Sequence, residues 1–106
     1  MNIPKEFQIF GRKITTEWND KDLGKLEAHG TLNNITGIIT LPENALSGYD
    51  VQATRTEQLY CHEVIHAFVN ETDYNKKLSD CFDDQEFEQF VEIMGKCLHQ
   101  FLITKK

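Results

Sequence analysis

The chain has 106 residues, 40% hydrophobic and 26% charged, with a net charge of −6 and three cysteines. That length makes one domain with a modest core and no room for a separate recognition domain. The acidic balance argues against nucleic acid as a partner, no apolar run approaches the ~20 residues of a membrane span, and an odd cysteine count makes no disulfide framework. The start, Met1-Asn2-Ile3-Pro4-Lys5, lacks the apolar stretch of a secretory signal, so the expected setting is cytoplasmic, with Cys61, Cys81 and Cys97 as reduced thiols.

Strand-like sequence comes first. Phe7-Gln8-Ile9-Phe10 leads through Gly11-Arg12 to Lys13-Ile14-Thr15-Thr16-Glu17-Trp18, where apolar positions alternate with polar or threonine ones. Asn19-Asp20-Lys21-Asp22 has turn chemistry, and residues 23–29 read as a polar loop. Gly30-Thr31-Leu32-Asn33 and Gly37-Ile38-Ile39-Thr40-Leu41 read as two strands around a hairpin turn at Asn34-Ile35-Thr36-Gly37, with Pro42 ending the second. Residues 43–50 form another loop.

A helix then starts at Thr54-Arg55-Thr56-Glu57, which matches a capping box, or earlier near Asp50, and runs to about Asn70. Residues 71–80 read as a loop. A second helix begins near Asp80 or Asp83, acidic at its positive end, and finishes at Lys105-Lys106. Phe87, Val91, Met94, Leu98, Phe101 and Leu102 recur at three and four along it, and Cys97 falls among these core-type positions. Strands followed by helices make an α+β chain with a small antiparallel or mixed sheet, one domain over residues 1–106.

The first helix carries Cys61-His62-Glu63-Val64-Ile65-His66. Histidines four apart point the same way, one turn above the other, so both imidazoles can meet one divalent ion. Zinc suits nitrogen ligands in tetrahedral geometry. Glu63, at the edge of that face, can take a proton from a metal-activated water as general base. Val64, Ile65, Ala67 and Phe68 would pack the opposite side into the core. The competing reading is an amphipathic helix whose histidines are merely solvated or hydrogen-bonded.

A catalytic zinc site usually has three protein ligands and an open position. The extended pattern with a third histidine would need Gly at 69 and His at 72, where the chain has Val69 and Thr72. His29 and His99 read as surface histidines. A carboxylate early in the second helix is the better source. Glu88 shares a helical side with Val91 and Gly95 and can point at the first helix. Glu92, one turn on, can support a ligand by hydrogen bonding. Glu92 itself, Glu86, Asp83, Asp84 and Cys81 remain alternatives for the third ligand. Cys61 points about 100° away from His62 and is poorly placed to share the ion.

Four stretches together resemble the short phage- and prophage-type zinc metallopeptidases related to the ImmA/IrrE type, a gluzincin-like group. They are Phe10-Gly11-Arg12-Lys13-Ile14 through Glu17-Trp18; Gly37 to Pro42; Glu57 through Ala67; and Glu88 through Leu98. In the last, Val91, Met94, Gly95 and Leu98 follow Glu88 as small or apolar residues follow the family's ligating glutamate. The resemblance implies a minimal zincin: a small twisted sheet, an active-site helix with a glutamate helix behind it, and Zn2+ held by His62, His66 and Glu88. It also implies that the strand carrying Ile38, Ile39 and Thr40 edges the cleft, where an extended peptide adds as one more strand.

The expected activity is endopeptidase cleavage of a peptide or protein substrate, with no nucleic-acid or membrane partner. Tyr74 is a candidate oxyanion donor. The alternative is a catalytically inactive, zinc-stabilised protein-binding module.

Overall fold

A computed structural model describes residues 2–19, 30–42 and 53–106, the side chains of the last segment from residue 55 onward. The expected turn beyond Asn19, the loops at 23–29 and 43–50, and His29 lie outside the described residues. The elements are β1 (Glu6–Ile9), β2 (Arg12–Trp18), β3 (Thr31–Asn33), β4 (Ile38–Leu41), α1 (Ala53–Glu71), α2 (Asn75–Cys81) and α3 (Asp84–Thr104). The fold is α+β, as expected.

The sheet has the order β1-β2-β4-β3. β1 and β2 form an antiparallel hairpin pairing Ile9 with Arg12 and Glu6 with Thr15. β2 and β4 are parallel, and β4 and β3 antiparallel, so the sheet is mixed. The strand carrying Ile38, Ile39 and Thr40 is therefore interior, not the substrate edge expected of it. Among the described residues, β3 is the outer strand on that side. The hairpin between them turns as anticipated: Asn33 Oδ1 accepts from the amides of Ile35 and Thr36 at 3.0 and 3.1 Å. Gly37 completes it at φ +72°, where a Cβ would lie 2.9 Å from the Lys13 carbonyl oxygen.

The β1–β2 loop is Phe10-Gly11, with φ of 50° and 83°. Two positive φ values are the pattern of a type I′ turn, which favours asparagine before glycine. Phe10 holds this conformation while 83% exposed, with nothing gained from burial. Phe10→Asn is expected to stabilise the fold by about 1 kcal/mol, read as a higher urea midpoint at unchanged slope.

One core joins Ile9, Ile14, Ile39 and Leu41 of the sheet to Tyr60, Cys61, Val64 and Ala67 of α1. A second joins Ile65 and Val69 of α1 to Val91 of α3, with Leu78, Phe87 and Phe90 packed against it. α1 is thus apolar on two sides, toward the sheet and toward α3. Thr72 closes α1 by donating its hydroxyl to the Phe68 carbonyl at 2.7 Å. The stretch expected to be loop up to residue 80 contains α2, whose Leu78 reaches the second core. α3 starts with the capping box Asp83/Glu86, the second of the two starts read from the sequence. Its apolar periodicity is not all core, since Met94 is 41% and Phe101 62% exposed, and Cys97 is exposed as well. No described helix is long and apolar enough to cross a membrane.

Candidate metal centre

α1 and α3 lie against each other in opposite directions. They come close at Gly95, where an added Cβ would sit 2.9 Å from His62 Cα and 3.0 Å from His62 N. A side chain there would push the helices apart. With hydrogen alone, the backbone of α3 touches α1 at the first motif histidine, and the residues one and two turns earlier on α3 face the histidine pair. Those residues are Glu92 and Glu88.

Among the described residues, His62, His66 and Glu88 offer donor atoms that all lie within 4.8 Å of one another. Glu88 Oε2 is 3.3 Å from His62 Nε2, and Glu88 Oε1 is 3.2 Å from His66 Nε2. The two imidazole centroids are 5.0 Å apart. Two ligands about 2.0–2.1 Å from a tetrahedral zinc ion are themselves roughly 3.3 Å apart, so these spacings fit the ion. The donor set, two nitrogens and one carboxylate, is also of the right chemistry.

Glu92 Oε2 is 2.8 Å from His62 Nδ1. A carboxylate only accepts, so Nδ1 carries the proton and Nε2 presents its lone pair toward Glu88 and His66. His62 therefore has a carboxylate oxygen at each ring nitrogen. A neutral imidazole has one N–H and can satisfy only one of them; a proton or a metal ion must meet the other. Burial holds His66 below the ordinary histidine value, the Glu88 carboxylate opposing, and this favours the neutral ring a metal needs.

Glu63 is 7% exposed, and burial pushes its carboxyl up to about 7, with the Glu88 charge adding and His62 opposing. It borders a cleft of about 320 Å³ between β3 and α1, shared with His66, Thr31, Leu32, Asn34, Asn70 and Asn75. The amides of the last two are joined, Asn75 Nδ2 donating to Asn70 Oδ1 at 2.5 Å. Residues 31, 32 and 34 and both amides escaped the sequence reading. The only signal was the placement of polar residues at both ends of the hairpin turn and after the motif helix.

Among the described residues, the other ligand candidates do not join this donor group. Asp83 and Glu86 bond each other's backbone amides in the α3 cap, at 2.8 and 3.2 Å. Asp84 is exposed in the first turn of α3, and Cys81 is exposed at the end of α2. Cys61 is fully buried in the core, where burial raises its thiol to about 11. Tyr74 is 52% exposed with Lys77 Nζ 4.9 Å from its ring centroid, and it does not line the cleft.

His99 departs from its surface assignment. It is 4% exposed, and its Nε2–H donates to Glu57 Oε1 at 2.8 Å, across the same α1–α3 seam. This bond leads the causes that hold Glu57 below the usual glutamate value of 4.5. Glu57 thus contributes stability above that value and loses it as pH falls through its depressed folded-state pKa. A thermal melting midpoint that drops as pH falls below about 4.5 is expected, and Glu57→Gln should flatten that limb of the curve.

Comparison with protein-family models, with curated proteins and with solved structures found no match.

Proposed function

We propose that the chain is a zinc-dependent endopeptidase acting on an extended peptide, with His62, His66 and Glu88 as ligands and Glu63 as general base. The observation that carries this reading is the Glu88 carboxylate lying across both Nε2 atoms at 3.3 and 3.2 Å, the ligand spacing of a tetrahedral site. A bound zinc ion would lower the pKa of a water to about 7 and polarise an amide carbonyl. Glu63, buried beside His66 on the cleft wall, accepts the proton of the attacking water and returns it to the leaving amine. Glu92 fixes the His62 ring through Nδ1.

The substrate backbone adds to the outer edge of β3, whose Thr31 and Leu32 border the cleft, in the role first assigned to β4. On this reading the chain is a minimal zincin of the ImmA/IrrE-like, phage or prophage kind. A reducing, cytoplasmic setting is consistent with three free cysteines, two of them exposed.

Zinc titration of the full chain, followed by digestion of an unfolded polypeptide library, tests the proposal. One equivalent of bound zinc and peptide cleavage are expected, both lost in His66→Ala. Stoichiometric zinc without cleavage of any peptide would instead favour the inactive binding module, and absence of zinc binding would refute both.

A further inference from the structure

The side of α3 that flanks its α1-facing line is apolar along its length. At about 100° per residue, Phe90, Met94, Cys97 and Phe101 fall within one narrow stripe with Ile93 at its side. Its centre lies roughly 100° around the helix from the line of Val91, Gly95 and Leu98, which face α1. Ile93 is 61%, Met94 41% and Phe101 62% exposed, Cys97 is exposed, and Phe90, half-buried against Phe82 and the core of Ile65, Val69 and Val91, anchors the stripe at its inner end. The spacing of four, three and four is a heptad seam. The charged residues within that span, Glu92 and Lys96, lie off the stripe and approach each other at 3.7 Å.

Charge is instead segregated to the two ends. Asp83, Asp84 and Glu86 open the helix, and Lys105 and Lys106 follow it. Two parallel copies would bring acid against acid and lysine against lysine. Two antiparallel copies bring each acidic end against a basic one, and the apolar stripe is then its own complement. With Phe90 opposite Phe101 and Met94 opposite Cys97, the same register sets Glu86 opposite Lys105.

We infer that α3 pairs antiparallel with α3 of a second copy of this chain through Phe90, Met94, Cys97 and Phe101. The interface is isologous, each residue meeting its counterpart across one two-fold axis. The metal centre and cleft are left open, because Glu88 and Glu92 face α1. The inference does not depend on the proposed activity.

Sedimentation equilibrium of the full chain from micromolar to about millimolar concentration reads it directly. A monomer–dimer equilibrium is expected. Met94→Asp, at a solvent-facing position that leaves the fold intact, should weaken it about 100-fold or more. Lys105→Glu combined with Lys106→Glu should weaken it about tenfold by setting like charges together at both ends. Under mild oxidation, Met94→Cys should give covalent dimers through Cys97 of the second copy, with little cross-linking in the unmodified chain. A monomer at all concentrations overturns the inference. So does a dimer indifferent to Met94→Asp, or one in which the unmodified chain cross-links through Cys97 as readily as Met94→Cys, which would mean a parallel pair.

Discussion

Glu63→Gln is expected to bind zinc as the unmodified chain does and to lose about 10²–10⁴-fold of its peptide hydrolysis. The substitution keeps the shape of the side chain and removes its basicity. Glu63 does not belong to the donor group formed by His62, His66 and Glu88, so the metal should stay. It lines the cleft wall beside His66. Burial has already pushed its carboxyl up to about 7, which suits a group that takes and returns a proton near neutrality. Zinc content and cleavage rate must be measured on the same preparation. A variant that holds zinc and cleaves at the original rate removes Glu63 from the mechanism, whereas one that loses zinc makes it a ligand or a prop for one.

The second large effect is expected at a residue with no functional group. Gly95→Ala adds a Cβ 2.9 Å from His62 Cα, a contact against backbone that cannot rotate aside. The helices must separate, and overpacking of this kind costs about 1–3 kcal/mol. Separation also withdraws Glu88 and Glu92 from the histidines. Zinc affinity should fall about 10–100-fold, as it does when the groups that orient ligands are disturbed. Competition against a chromophoric chelator measures this, with circular dichroism confirming that the helices persist. Unchanged affinity would show that the carboxylates reach the histidines without the close approach at Gly95.

The histidine pair, the motif helix and the Asp83 start of α3 were legible because each rests on local spacing. The approach of Glu88 to the histidines was legible for the same reason, since Val91 and Gly95 mark the buried side of α3. Strand order was not. Nothing in Ile38-Ile39-Thr40-Leu41 states which strands flank it, although a run half-buried or buried at every position is the mark of an interior strand. Thr31-Leu32-Asn33, more polar and more open, is the edge among the described strands. His99 was misread because its partner, Glu57, lies 42 positions away on another helix. Cys97 and Met94 were misread because an apolar residue on a periodic helix can serve either of two faces, and only the position of α1 decides which is covered. α2 is a single short helix anchored mainly by Leu78, too little pattern to separate from a polar loop.

Arg12 ties together the two sides of the cleft at its far end. One arm of its guanidinium pairs with Glu71 at the close of α1, and the other donates to the carbonyls of Asn34 and Ile35 in the β3–β4 turn. Asn34 stands on one wall of the groove and Asn70, next to Glu71, on the other. The gap between those walls is thus spanned by one partly solvated cation, whose hold slackens as salt rises. On the proposed activity, that clasp would favour a single extended strand over a thick or folded guest, which would have to break it.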